Sequence, residues 1–407
     1  MRHVPRPTAA VFLLSLSVLL STVSAASADS GTSSQLNPCA APNEVGASFE
    51  ETAWQIWVAA TCPVNGDQYP FTVWENWIEQ SQLFPTDPSK GLKVPNAGAS
   101  TAEHIVHASP LTLALDPELT TSVPSGLLGS PNTNCNKAKN PPPGQPGLII
   151  CEEVRLNGAA EDYIAGTNLW NRTSQAQAAA NGDDIQFPRP AVEVKVDWTL
   201  LNSIIPGADC NNPNSLPSEF TTHPVHLEMI NGNCYAMTGM HVMSKLIDKW
   251  IWATFEPQNS ITNPNRCKDL GCLDPFGARP AKSNGRDTRL SQKLEQLMDA
   301  ANLAPEWKNY RLDGVQTDYF SPKLLSNSII EGENGGIPAN QASCITCHAL
   351  SSVKSDGTDG ITLLNPNARP VGFPLPLPST DWIRRDFVWS LLVACPGANS
   401  NFNACAP

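Results

Sequence analysis

The most regular pattern along the chain is an alternation of apolar and charged residues between positions 192 and 198. The apolar positions are Val192, Val194, Val196 and Trp198, and the charged positions between them are Glu193, Lys195 and Asp197. A period of two puts the apolar side chains on one face of a β-strand and the charged ones on the other. The sequence therefore predicts a strand that is buried on one side only.

Three more segments, at residues 148–156, 234–243 and 250–255, have the composition of strands. They are rich in the β-branched and aromatic residues that strands favour. Helical patterns cover residues 49–60, 73–84 and 159–180 and the region around 290–298. Proline-rich segments at 85–100 and 364–380 predict loops or linkers.

The last apolar pattern, at residues 381–394, predicts a terminal helix. Its apolar side chains can share one helix face. They are Trp382, Ile383, Phe387, Val388, Leu391 and Leu392.

The N-terminal region has the features of an export signal. Arg2 and Arg6 precede an apolar stretch at residues 10–20 and a small-residue cleavage region that ends near Ala28. That stretch is too short to span a bilayer, which needs about 20 apolar residues. We therefore expect a signal peptide at 1–28, a flexible leader at 29–47, and a periplasmic or secreted product with no membrane span.

The chain contains 12 cysteines, which agrees with export because disulfides persist in oxidising compartments. We predict that neighbours along the chain pair, with crossed pairings or free thiols as the alternative. The predicted pairs are Cys39–Cys62, Cys135–Cys151, Cys210–Cys234, Cys267–Cys272 and Cys395–Cys405.

The two remaining cysteines lie in the run Cys344-Ile345-Thr346-Cys347-His348, which is the C-x-x-C-H pattern of covalent haem attachment. Thiols at positions i and i+3 lie on one side of a helical turn, so both can reach the two vinyl groups of one porphyrin. The adjoining histidine can then bind the iron. The motif predicts one haem c, bound by Cys344, Cys347 and His348. The alternative is a disulfide pair beside a chance histidine.

A second axial ligand must come from upstream, since no methionine or histidine follows His348. Residues 235–245 are the richest segment, with three methionines around one histidine. His241 or Met240 is therefore the possible distal ligand. The alternative is that these side chains pack as ordinary core residues and that the distal site is open.

Two histidine pairs, His104 with His107 and His223 with His226, have the spacing of a metal site on a helix. Neither pair has an evident third ligand, and ordinary surface or core histidines are the alternative. The formal charge of −12 argues against nucleic acid as a partner. The sequence lacks the Walker A, GxSxG and HExxH motifs and a clear dinucleotide-binding glycine motif.

The chain resembles the exported monohaem c-type cytochrome family proteins of bacteria. The specific part is CITCHA at 344–349, and further similar segments lie at 54–60, 73–77, 192–198, 239–245, 250–256, 307–317 and 386–391. The resemblance implies covalent haem on Cys344 and Cys347 and iron on His348. It implies no particular reaction.

These observations predict an α+β protein with a mainly antiparallel, β-rich domain and peripheral helices at 48–300. A small C-terminal helical c-type haem segment at 301–407 is expected to pack on it. The expected function is single-electron transfer with a redox partner protein or a small-molecule electron donor or acceptor. The alternative is a peroxidase-like or oxygenase-like haem enzyme with an open distal site, to which His241, Arg311 or Arg369 could contribute. A third possibility is a binding domain that presents some of the 11 tryptophans.

Overall fold

The computed structural model describes residues 37–64, 72–84, 92, 135–230, 233–285, 288–360, 371, 372, 374 and 376–395. These residues belong to one unit that begins at Asn37. The predicted signal peptide and most of the two proline-rich segments lie outside them. In the described part of the chain, no helix is both long and apolar enough to cross a membrane.

An antiparallel sheet is the central element of the fold. In chain order, the strands are β1 (Ile78–Glu79), β2 (Cys135–Lys137), β3 (Ile149–Leu156), β4 (Val192–Leu200), β5 (Leu227–Ile230), β6 (Asn233–Ser244), β7 (Ile251–Pro257), β8 (Cys272–Leu273), β9 (Ala278–Arg279), β10 (Lys282–Ser283), β11 (Arg289–Leu290), β12 (Tyr310–Gln316), β13 (Ser352–Lys354) and β14 (Trp382–Arg384). The main sheet has the order β1-β3-β4-β6-β7-β12, with β2 paired to β3 and β5 paired to β6. The other strands form the two-stranded pairs β8–β10, β9–β11 and β13–β14.

The helices are short and lie around this sheet. They are α1 (Phe49–Thr61), α2 (Gln80–Leu83), α3 (Gly158–Gly166), α4 (Arg172–Asn181), α5 (Glu219–Thr222), α6 (Gln292–Ala300) and α7 (Cys344–His348). A π-helix spans Ser328–Asn334, and 3₁₀ turns include Trp74–Asn76, Trp307–Asn309 and Trp389–Val393. The mixed α+β class with an antiparallel sheet is confirmed.

The predicted strands and the helices at 49–60 and 290–298 are confirmed. The segment at 159–180 forms two helices rather than one, because the backbone turns at Asn168, whose φ is 57°. The predicted helix at 73–84 is wrong, since a 3₁₀ turn, β1 and the single turn α2 share that segment. Strand β12 lies after residue 300 and forms one edge of the main sheet. The two parts predicted at 48–300 and 301–407 therefore contribute strands to a single sheet.

The predicted terminal helix at 381–394 is also wrong. Strand β14 pairs with β13, and only Trp389–Val393 forms a helical turn. Between them, Asp386 and Phe387 adopt left-handed φ values of 49° and 69°, which a right-handed helix excludes. The apolar pattern is still used, because Val388 and Leu391 pack into one buried cluster with the motif helix.

One face of the sheet, the apolar face, carries the main hydrophobic core. Val194, Met240 and Phe255 belong to it, and helix α1 covers it with Trp54 and Trp57. The ring of Trp57 stacks on that of Phe255 with centroids 4.3 Å apart. Removing such a buried aromatic side chain typically costs about 3–5 kcal/mol. All 11 tryptophans are described, and none is exposed, so the structure does not support an aromatic binding platform.

The opposite face, the charged face, contradicts the prediction that β4 is buried on one side only. It carries Glu193, Lys195 and Asp197 of β4, His241 of β6 and Glu256 of β7. All except Lys195 are buried, and Asp197 is 0% exposed. Sequence periodicity could not show this, because the cover comes from residues far along the chain. The π-helix contacts β4 and β6 from this side.

Gly239 of β6 allows the π-helix to approach the charged face. A Cβ atom at this position would lie 2.9 Å from Oδ1 of Asn327 and 3.1 Å from Cγ1 of Ile330. Asn327 is fully buried, and its side chain accepts hydrogen bonds from the first amides of the π-helix and donates one to Thr254. Asn327, which an added methyl group would contact too closely, is therefore held in place by its hydrogen bonds.

We expect Gly239→Ala to lower the free energy of unfolding by about 1–3 kcal/mol, the usual effect of overpacking a core. Urea unfolding at pH 7 measures it. The matched control is Gly158→Ala in α3, where an added Cβ meets nothing within 4 Å. The control should be neutral or slightly stabilising. Equal midpoints for the two variants would show that the close approach imposes no constraint.

Candidate functional site

The two motif cysteines are thiols in a chain whose other described cysteines are oxidised. Four predicted disulfides are confirmed: Cys39–Cys62, Cys135–Cys151, Cys210–Cys234 and Cys267–Cys272. Cys395 is also disulfide-bonded, whereas its predicted partner Cys405 lies outside the described residues. Cys344 and Cys347 are in no disulfide. The structure thus does not use the motif as another disulfide.

Helix α7 is the motif itself, folded as a single turn. Gln316 at the end of β12 anchors it, because its Oε1 accepts a hydrogen bond from the Ile345 amide at 3.0 Å. Ile345 is fully buried in a cluster that includes Met243 and Trp252 from the charged side of the sheet. The motif is therefore fixed to an edge strand and packed against the sheet.

His348 is held as a neutral imidazole of defined tautomer. Its Nδ1 lies 2.8 Å from the carbonyl oxygen of Phe387, so Nδ1 carries the proton and donates it. Its ring packs on Trp252, with centroids 4.5 Å apart. Burial lowers the pKa of His348 to about 3, and the positive charge of Lys195 contributes. Nε2 therefore keeps a lone pair, which is the form in which histidine binds a metal.

Burial also controls the first thiol. It raises the pKa of Cys344 well above the usual value, and the negative charge of Glu331 adds to this effect. Cys344 is consequently protonated at neutral pH, and Cys347 is half-buried. Cys344 therefore lacks the low-pKa thiolate on which redox-active C-x-x-C sites depend. Cys344 is consequently a poor attacking thiol for disulfide exchange.

The charged face lies close enough to the motif to influence both its thiol and its imidazole. Lys195 Nζ pairs with Glu152 Oε2 at 2.7 Å. Next to it, Nε2 of His241 lies 3.3 Å from Oε2 of Glu331 on the π-helix. Burial alone would raise the pKa of Glu331, but His241, the Asn327 amide and Lys195 outweigh it and lower the pKa.

The two possible distal ligands point to opposite sides of the sheet. Met240 packs in the core of the apolar face. His241, the next residue, is the cross-strand neighbour of Lys195 and Thr254 on the charged face. Met243, two residues further, shares a cluster with Cys344. The alternation of β6 thus turns Met240 away from the motif and directs His241 to the motif side.

Arg311, one of the two arginines considered for an open distal site, is engaged elsewhere in the fold. The guanidinium of Arg311 donates to the carbonyl oxygens of Lys308, Tyr310 and Thr288. These residues belong to the structure around β11 and β12 rather than to the motif. Arg369 lies outside the described residues, as do His104 and His107.

Among the described residues, His223 and His226 do not form one ligand group, because each takes carboxylate partners of its own. His223 lies 3.5 Å from Glu219. Nε2 of His226 lies 3.2 Å from Glu75 and 3.5 Å from Glu228. Burial alone would lower the pKa of His226, but hydrogen bonds and charges from both glutamates raise it to about 10. Nε2 of His226 and these two carboxylates lie close enough together to share a proton or a metal ion.

Three groups at the site had no clear signal in the sequence. Glu331 lies in a π-helix that no periodicity marks. Trp252 looks like any aromatic residue in a buried strand. Phe387 contributes its backbone carbonyl, which no side-chain pattern reports. Two of the three come from segments that reach the sheet only through the tertiary fold.

The chain was compared with protein-family models, with curated proteins and with solved structures, and none of them matches it. A function for this protein must therefore be argued from its own residues and their geometry.

The Glu75–His226 pair makes a prediction about stability and pH. We expect Glu75→Gln to lower the free energy of unfolding by about 3 kcal/mol, since it breaks a buried pair. The pair has a lowered glutamate pKa and a raised histidine pKa. The pair therefore stabilises the fold most near pH 5–6. This stabilisation is lost as His226 loses its proton when the pH rises through about 10, and as Glu75 gains a proton in strong acid.

Urea unfolding of both proteins between pH 4 and 10 tests this dependence. Glu44→Gln, which removes the same charge at an exposed position, is the control and should change little. A destabilisation by Glu75→Gln that stays constant across this range would contradict the pairing.

Proposed function

We propose that this chain is an exported c-type cytochrome that holds one haem through thioethers at Cys344 and Cys347, with His348 as an axial ligand of the iron. The main observation in support is that α7 combines two thiols one turn apart with a neutral imidazole. The Nδ1–H of that imidazole donates a hydrogen bond to the carbonyl oxygen of Phe387. That hydrogen bond orients the ring and leaves Nε2 for a metal. When bound, haem iron supplies reversible one-electron chemistry.

The surroundings of the motif fit a porphyrin. Cys344 and Ile345 lie in an apolar cluster with Trp252 and Leu391, which suits a large flat aromatic group. A second buried imidazole, His241, faces the same side. Its Nε2 has a carboxylate at ion-pair distance but lacks a hydrogen bond of good geometry. The donor set of two thiols and neutral imidazole is the one that c-type attachment uses.

Single-electron transfer is the function that these features support best. The described disulfides favour an oxidising compartment, in agreement with the predicted signal peptide. With His241 as a second ligand, the iron would have both axial positions filled and would exchange electrons rather than bind substrate. A redox partner protein or a small-molecule electron donor or acceptor would complete the reaction.

The pair of His241 and Glu331 also supports a second candidate, a peroxidase-like or oxygenase-like haem enzyme. A histidine beside a partly buried carboxylate can hold and move a proton at Nε2. In this case His241 would act as a proton carrier in an open distal site and would not bind the iron. The two candidates differ in the coordination of the iron, which spectra report.

The first test is covalent attachment. Chain matured in a host with cytochrome c assembly machinery should carry one haem on the peptide that contains residues 344–348, as measured by mass spectrometry. Cys344→Ser/Cys347→Ser should carry none. Cys267→Ser/Cys272→Ser also loses two sulfurs but keeps the motif, so it should still carry haem. A wild-type peptide without an adduct would reject the proposal.

The second test concerns the distal side. If His241 is the second ligand, the reduced holoprotein is low-spin and resists carbon monoxide, and His241→Ala becomes high-spin and binds it. Met240→Leu, on the opposite face, is the matched control and should keep the wild-type optical spectrum. A wild-type protein that is already high-spin and binds carbon monoxide would favour the enzyme, in which His241→Ala lowers the rate of reaction with peroxide.

A further inference from the structure

The carbonyl of Phe387, which accepts the hydrogen bond from His348, belongs to a short segment that is anchored on both sides. Before it, the buried Arg385 donates from Nε to Gln175 at 2.8 Å and pairs with Asp359. After it, the carbonyl oxygen of Val388 accepts the hydroxyl of Ser351 at 2.7 Å. The peptide between these anchors is therefore confined.

Asp386, directly before Phe387, makes two buried contacts of its own. Its Oδ1 pairs with Nζ of Lys245 at 2.6 Å, and both side chains are less than 5% exposed. Its Oδ2 accepts the amide of Phe187 at 2.8 Å. Lys245 follows β6, so this pair joins the segment to the strand that carries His241. An ion pair so deeply buried holds its partners strongly, because leaving either charge alone is costly.

The backbone conformation explains why such anchoring is needed. Asp386 and Phe387 both have left-handed φ values, 49° and 69°, which cost an L-residue roughly 1–2 kcal/mol each. Aspartate tolerates this region, but phenylalanine does so poorly. This unfavourable turn aims the Phe387 carbonyl at Nδ1 of His348. The contacts of Asp386 offset its cost.

We propose that Asp386, held by Lys245, is a positioning residue for the axial histidine: it fixes the left-handed turn that presents the Phe387 carbonyl to His348. This inference rests on the proposed haem ligation by His348. A carbonyl held against Nδ1–H makes the imidazole more basic and stabilises the oxidised iron. Loosening the turn weakens that hydrogen bond, so the reduction potential rises.

The test uses matured holoprotein and a graded set of substitutions. Asp386→Gly removes the side-chain contacts with Lys245 and with the Phe187 amide. Glycine adopts φ near 50° without strain. Asp386→Asn keeps an acceptor for the Phe187 amide and tolerates the same φ, so it serves as the variant most certain to fold. Glu75→Gln is the control, because it breaks a buried ion pair on the opposite side of the sheet.

Two readouts separate positioning from stability: the midpoint potential, and the solvent exchange rate of the His348 Nδ1–H proton by nuclear magnetic resonance. We expect Asp386→Gly to favour reduction about tenfold, or about 59 mV for one electron, and to speed the exchange. Asp386→Asn should give a smaller change in the same direction. Glu75→Gln should lower the melting temperature and change neither readout.

Wild-type values of both readouts in Asp386→Gly or Asp386→Asn, together with a lowered melting temperature, would overturn the inference. Absence of a haem adduct on the wild-type chain would instead reject the proposed function. In that event the exchange of the Nδ1–H proton in the haem-free chain still decides whether Asp386 positions the carbonyl.

Discussion

The structure depends on a sheet face that is charged and nonetheless buried. Charged groups removed from water are tolerated only when they are paired, hydrogen-bonded or neutralised. The charged face uses all three solutions. Lys195 pairs with Glu152, Ser390 donates a hydrogen bond to Glu193, and burial raises the pKa of Asp197 to about 8. Each solution requires a partner or cover at a defined place, so this face determines where the later segments of the chain can lie.

The segments that cover this face also build the candidate site. The π-helix supplies Glu331 to His241 and approaches the sheet over Gly239. Helix α7 is anchored by Gln316 of the edge strand, and Phe387 returns to bind His348. The same packed segments therefore cover the buried charges and orient the motif. A defect in the cover would expose buried charges and at the same time release the imidazole.

The site combines neutral donors with charged surroundings. Desolvation and nearby positive charge lower the pKa of His348 and keep it neutral, whereas burial and nearby negative charge raise the pKa of Cys344 and keep it protonated. Such a site suits a large group with a metal at its centre better than it suits a thiolate nucleophile. In the two proposed functions His241 either binds the iron or carries a proton, so they differ in the role of the pair that it forms with Glu331.

The sequence by itself predicted four central strands, the α+β class and the C-x-x-C-H motif, and the nearest-neighbour pairing of four disulfides proved correct, because each depends on residues that are close along the chain. Alternation is a local property, and the paired cysteines are neighbours in order. Only the tertiary structure decided that the polar side of β4 is buried, that residues 381–394 turn at Asp386 instead of forming a helix, and that His241 rather than Met240 is on the motif side. These outcomes depend on which distant segment packs on which face of the sheet. The periodicity of a segment does not show which other segment will pack on it.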